Sequence, residues 1–160
     1  MKKALALVVL TAGALLMGGC ADDPPTYEEV RAETDDVLEE VAALVPDPKE
    51  IVPTEGIQPY SCSNSLTFGT RKGSFYTGQR AVFVDESFDV PSFIARFPDV
   101  LGPGWRAESL GVPVTVAQIY LVHDSPRVSL GIRETTIDGR KAIDLLAMSR
   151  CGIVTDGAGS

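Results

Sequence analysis

Seven apolar residues, Tyr27, Val30, Val37, Leu38, Val41, Leu44 and Val45, recur at steps of three and four along the first acidic stretch of the chain. That spacing predicts an amphipathic helix with one apolar stripe. Thr26 and Glu29 form the sequence signature of a capping box at its start, and Pro46 and Pro48 stop it. Glu39 and Glu40 fall near its negative end, an unfavourable placement against the helix dipole. Beyond the helix the period changes to two. Residues 49–61 read as an extended, Pro-punctuated connector leading to Cys62, and residues 63–73 alternate weakly. Residues 74–84 form a better strand that ends in Ala81, Val82, Phe83 and Val84. Pro91 opens a second, short helix through Ser92, Phe93, Ile94 and Phe97, which Pro98 and the run Gly102, Pro103, Gly104 end. Residues 105–110 follow as a strand. Residues 114–122 form a longer one, apolar on both faces and therefore expected at the centre of a sheet.

The strongest local signal lies near the C-terminus. Asp138-Gly139 separates two long alternating runs, the mark of a two-residue type I′ hairpin turn. Folding there pairs Ile132 with Leu145 and Leu130 with Ala147 on one face. The same register sets Arg133 opposite Asp144 on the other, an opposite-charge cross-strand pair. The expected architecture is one α+β domain: an antiparallel sheet of about four or five strands, two helices packed on one face, and one disulfide.

The first twenty residues carry a different pattern. Lys2 and Lys3 precede a short apolar run over residues 4–17, then Gly18, Gly19 and Cys20. The run is shorter than the roughly 20 residues a membrane-spanning helix needs, and it suits the apolar core of a signal peptide. Small residues before a cysteine form a lipobox, although Met17 stands where a leucine is usual. Cys20 is the expected lipidation site, acylated as cleavage occurs. The chain then divides into a signal peptide (1–19), a lipidated tether (20–25), a single domain (26–154) and a flexible polar tail (155–160). The expected location is the cell membrane, lipid-anchored on the extracytoplasmic side.

Losing Lys2 and Lys3 from the 14 bases leaves 12 against 22 acids, a net charge of −10. Most of the excess is local: nine acids and only Arg31 lie between Asp22 and Glu40. With no basic stripe, nucleic acid is excluded as a partner. Cys62 and Cys151 are the two cysteines left once Cys20 is modified, and outside the cytoplasm such a pair reads as a disulfide.

No catalytic set emerges. His123 is the sole histidine, and an enzymatic role would need Asp124 or Asp85 beside it. The expected reading is a turn histidine at a sheet edge. Gly-x-Ser-x-Gly, Ser-x-x-Lys, His-Glu-x-x-His and Cys-x-x-Cys patterns are all missing from the sequence. The run Gly69, Thr70, Arg71, Lys72, Gly73, Ser74 lacks the Gly-Lys-Ser/Thr order of a phosphate loop and reads as a hairpin turn. The carboxylates of the first helix do not follow a calcium-loop spacing and read as a solvated face. Trp105 could anchor a partner, but before a strand it reads as a core aromatic, as do Phe75, Tyr76, Phe88 and Phe93. No catalytic residue, cofactor or metal is expected.

The order of Cys20, acidic helix, Cys62, Gly104-Trp105, Asp138-Gly139 and Cys151 resembles small actinobacterial-type envelope lipoproteins, LppA-like ones among them, whose function is unassigned. The resemblance implies an α+β domain outside the cytoplasmic membrane and brings no catalytic residues. The expected function is a non-enzymatic binding or scaffolding module of the cell envelope, partnered by an envelope protein. The alternative is a small-molecule or lipid binder that holds an apolar ligand between sheet and helices.

Overall fold

A computed structural model describes residues 24–54, 59–62, 73–109, 111 and 115–154. Cys20 with its signal peptide, the phosphate-loop-like residues 69–72 and the tail 155–160 lie outside them. Helix α1 spans Tyr27–Ala43. Its capping box forms as expected: Glu29 donates its backbone N–H to Thr26 Oγ1 at 3.3 Å, and its carboxylate accepts the Thr26 N–H at 2.8 Å. Tyr27, Val30, Leu38 and Val41 are buried, whereas Val37 and Leu44 are half-buried. The stripe also contains Thr34, fully buried because its hydroxyl donates to the Val30 carbonyl at 2.7 Å. That local bond removes the cost of burying the hydroxyl. The unfavourable C-terminal Glu39 and Glu40 are offset by a cation from beyond the helix: Lys49 Nζ donates to the carbonyls of Ala43 (3.2 Å) and Val45 (2.6 Å).

The cap supports a first prediction. Thr26→Ala should cost about 1 kcal/mol of stability near neutral pH. The bonds from the Thr26 backbone and hydroxyl hold the Glu29 carboxyl below its ordinary value. A lowered folded-state value means a stabilising share present above the unfolded value and lost as pH falls through the folded one. The gap between wild type and variant, read from urea midpoints, should therefore narrow in acid.

Among the described residues eight strands follow the helix: β1 (Lys49–Thr54), β2 (Tyr60–Ser61), β3 (Ser74–Phe75), β4 (Thr77–Val84), β5 (Trp105–Glu108), β6 (Gln118–Asp124), β7 (Arg127–Ile137) and β8 (Arg140–Ser149). Six form one antiparallel sheet in the order β1-β4-β8-β7-β6-β5, and β2 pairs with β3 separately. The sheet is larger than the expected four or five strands, chiefly because the connector contains β1. Pro53 disguised it. As an edge strand β1 needs only one row of ladder bonds, so a residue without an N–H is tolerated there. The expected strand over 74–84 breaks at Tyr76, whose N–H is taken by Ser149 Oγ at 2.9 Å. The strand expected over 114–122 begins only at Gln118 and lies between β7 and β5, one place from the edge.

Among the described residues three helices form instead of two. Helix α2 (Val90–Ala95) is followed directly by α3 (Phe97–Leu101). Pro98 therefore opens a helix where a terminator was expected. Without an N–H it cannot continue the α2 ladder, but it suits the first turn of a new helix. All three helices contact strands of the large sheet. Leu38, Val41 and Val45 of the first helical segment and Val90, Phe93, Ile94 and Phe97 of the second meet Val82, Leu121, Leu130, Ile132, Ile143 and Leu145. The space between helices and sheet is thus filled by buried side chains.

The hairpin register is as read: Ile132 opposes Leu145, Leu130 opposes Ala147 and Arg133 opposes Asp144. Asp138 and Gly139 have φ of 51° and 77°, the pair of positive values a type I′ turn requires. Cys62 and Cys151 are disulfide-bonded, with Cα atoms 6.2 Å apart. The bridge ties the end of β2 to the segment after β8, where Ser74 and Gly152 also exchange backbone bonds of 2.9 and 2.8 Å.

Candidate functional site

Side chains alternate across a strand, so the pairing registers sort every sheet residue onto the helix-covered face or the opposite, open one. Four rows cross the open face. Glu108, Tyr120, Gly131, Leu146, Gln79 and Thr54 make one row, and Gln118, Arg133, Asp144, Ala81 and Val52 make the next. Arg106, Val122, Ser129, Met148 and Thr77 flank the first, and Thr135, Ala142, Phe83 and Glu50 flank the second. Among the described residues no helix covers this face, although Ala81, Phe83, Ala142 and Asp144 on it are buried by their neighbours.

Its middle is polar and ordered. Asp144 is buried, accepting from Gln79 Nε2 and from Arg133, both at 2.6 Å. Satisfying a buried carboxylate from two neighbouring strands fixes all three side chains. Towards the Asp138 turn, Arg140 lies 4.0 Å over the Phe83 ring and binds Glu50 at 2.6 Å. On β5, Arg106 bonds Glu108 and sits 3.7 Å from Asp124. Among the described residues Arg127 has no acidic partner. The charges on this face balance, Arg106, Arg127, Arg133 and Arg140 against Glu50, Glu108, Asp124 and Asp144, while the whole chain carries −8.

Two hollows that share Tyr120 in their linings open here. A groove of about 900 Å³ runs over Tyr120, Val122, Ser129 and Met148 and ends at Pro24 and Pro25, where the amino-terminal segment joins the domain. A hollow of about 210 Å³ lies over Gly131, between Tyr120 and Leu146. Gly131 is not needed by the backbone. Its φ is not positive, and an added Cβ would meet only the Leu146 carbonyl oxygen, at 3.8 Å. Glycine inside a strand weakens it and often marks a close approach by another molecule. Beside the hollow, Leu146 is 42% exposed.

Of the three candidate catalytic residues of the sequence, His123 and Asp124 border the larger groove and Asp85 lies elsewhere. His123 points to the helix-covered side and packs on Trp105, ring centroids 4.9 Å apart. Its Nδ1 lies 3.1 Å from the Ser125 N–H and 3.2 Å from the Pro126 carbonyl. Asp124, one residue on, projects to the opposite face. Asp85 follows the far end of β4 and accepts from the Ser87 N–H (2.9 Å) and hydroxyl (2.6 Å), bonds that hold its carboxyl below the ordinary value. The structure brings neither acid to the histidine. Gly104 is required by this packing: its φ is +100°, and a Cβ there would lie 2.5 Å from His123 Nε2.

Trp105 is half-buried against the main core, as is Phe88, while Tyr76 and Phe93 are buried. Phe75 is half-buried and stacks on Tyr60 at 5.4 Å. Part of the acidic helix face is not solvated but spent on the sheet. Asp35 accepts from Tyr76 Oη at 2.8 Å and Arg80 at 3.1 Å, and Glu33 holds Arg150 at 2.9 and 3.1 Å. Among the described residues no group of three or more His, Cys, Asp or Glu is placed to hold a metal ion, and no helix is long and apolar enough to cross a membrane.

Sequence reasoning overlooked the open face because no motif marks it. The usable signal was the outward set of the last hairpin, Ser129, Gly131, Arg133, Asp144, Leu146 and Met148, in which apolar side chains stand where a solvated face would carry polar ones. No family model, curated protein or solved structure matches the chain.

Proposed function

We propose that this chain is a membrane-anchored, extracytoplasmic lipoprotein, acylated at Cys20, that acts as a non-enzymatic binding or scaffolding module of the cell envelope. The open face of the six-stranded sheet is its recognition surface. One observation carries the reading: one side of the sheet is closed by helices over buried side chains, and the other side, covered by none of the described helices, is charge-balanced and hollowed at Gly131. The Cys62–Cys151 disulfide supports an oxidising compartment. The basic start, the short apolar run and Gly18-Gly19-Cys20 support the membrane location. Among the described residues the side chains between sheet and helices are buried against one another, which favours scaffolding over the ligand-binding alternative.

The test has two parts. Intact-mass analysis of protein taken from membranes should find an acyl adduct at Cys20, and an unmodified Cys20 would remove the anchor. A photo-crosslinking amino acid placed at Tyr120, on the open face, should give protein adducts in intact cells. The same group at Glu39, on the outer side of α1, should give none. Equal labelling from both positions would refute the open face as the recognition surface.

A further inference from the structure

We infer that the open face pairs with a second copy of this chain, in a two-fold dimer whose axis runs along the strands between β7 and β8. The inference rests on the open face being the recognition surface and names what occupies it. Its starting point is the neighbouring pair Gly131 and Leu146: a hole and a knob side by side on adjacent strands. An axis midway between them, lying in the plane of contact, carries each knob over the other copy's hole. Both contacts are then made at once, as an isologous interface demands.

The same axis sets each cross-strand pair of β7 and β8 against its own reversal. Arg133 comes to face the second copy's Asp144, and Asp144 faces its Arg133. Tyr120 faces the second copy's Gln79 and Ser129 its Met148, while Gln118 and Thr135 lie above its buried Ala81 and Ala142. Within these four rows no charge meets its like; in the row beyond them Arg127 meets the second copy's Arg150, whose charge Glu33 of that same copy offsets. The axis also divides the sheet evenly, with three strands on either side in the order β1-β4-β8 and β7-β6-β5.

The area suffices. Six strands at about 4.8 Å and seven residues at about 3.4 Å give a face of about 700 Å². That is close to the roughly 800 Å² each partner contributes to a standard interface. Aligned packing of two sheets is also a common arrangement. The rest of the surface carries the acid excess, so contact through other faces would bring like charges together.

An axis parallel to the strands keeps the two copies' strand directions the same. Pro24 of both copies therefore lies at the same end of the dimer, beside Cys151. Two tethers leaving one end can reach one membrane. An axis across the strands would have put them at opposite ends.

Sedimentation velocity on the full chain, purified from membranes in mild detergent, tests the pairing across a dilution series. Wild type should sediment as a dimer that dissociates on dilution. Gly131→Leu fills the hole and should raise the dissociation constant roughly tenfold or more, while its thermal unfolding shows the domain intact. The double variant Gly131→Leu with Leu146→Gly exchanges knob and hole and should restore the dimer, a rescue that only this two-fold arrangement predicts. A chain that stays monomeric at every concentration overturns the inference, as does a dimer indifferent to Gly131→Leu. A monomer that still crosslinks from Tyr120 to a different protein overturns the second copy as occupant and leaves the open face as recognition surface.

Discussion

Replacing both Cys62 and Cys151 with alanine should lower the unfolding free energy by about 2–4 kcal/mol. The two cysteines are 89 residues apart in sequence, so the bridge closes more than half of the chain in the unfolded ensemble. The chain-entropy relation puts its ceiling near 4.6 kcal/mol for a loop of that length. Against a total stability of about 5–15 kcal/mol, that is a large share. The native state has reasons of its own to feel the loss. β2 and β3 are two residues each, far below what an isolated hairpin needs, and the Cys62 N–H bonds the Gly73 carbonyl at 2.9 Å. Gly152, next to Cys151, packs so closely on the start of α1 that a Cβ there would lie 2.5 Å from the Thr26 carbonyl oxygen. The bridge therefore holds the junction where the helix start, the small hairpin and the chain end meet. Denaturant titration measures the effect as a lower midpoint. Reductant should reproduce it in the wild type, and a midpoint unchanged in both would contradict the prediction.

Phe97→Ala should destabilise by about 3–5 kcal/mol, the usual range for emptying a buried phenylalanine site. Phe97 is fully buried, stands edge-on to Phe93 at 5.1 Å, and is the first residue of a helix only five residues long. A helix that short has no stability of its own, so its position depends on that ring. Removing it leaves a cavity at the junction of α2 and α3, and neither short helix can move inward without losing its cap or its contacts. Phe88→Ala is the internal control. Phe88 meets Phe93 at 5.4 Å but is only half-buried, so it should cost distinctly less on the same melting curves. Equal losses would mean that the two helices collapse together rather than hinging on Phe97.

The elements that were legible share one property: the residues that specify them are close together in sequence. The capping box of Thr26 and Glu29, the period of α1 and the Asp138-Gly139 turn are all local. From that turn the register follows by counting, and it correctly set Arg133 against Asp144. The misread segments are those whose fate depends on distant partners. β1 is a strand because β4 offers it an edge, and Pro53 says nothing about that edge. Pro98 begins a helix because Phe97 has a core to enter. Thr34 is buried because the helix lies on a sheet. Likewise the carboxylates of Glu33 and Asp35 read as solvated until Arg150, just past β8, and Arg80 of β4 arrive from far along the chain.

By itself, then, the amino-acid order determined the helix, the hairpin register, the paired sulfurs of Cys62 and Cys151, and an expected anchor at Cys20. Short-range periodicity and turn chemistry need no knowledge of the rest of the molecule. Only the tertiary structure decided that Gly131 and Leu146 stand side by side on a face no helix covers. A strand's alternation says which residues share a side, but which side the helices take depends on where the whole chain packs.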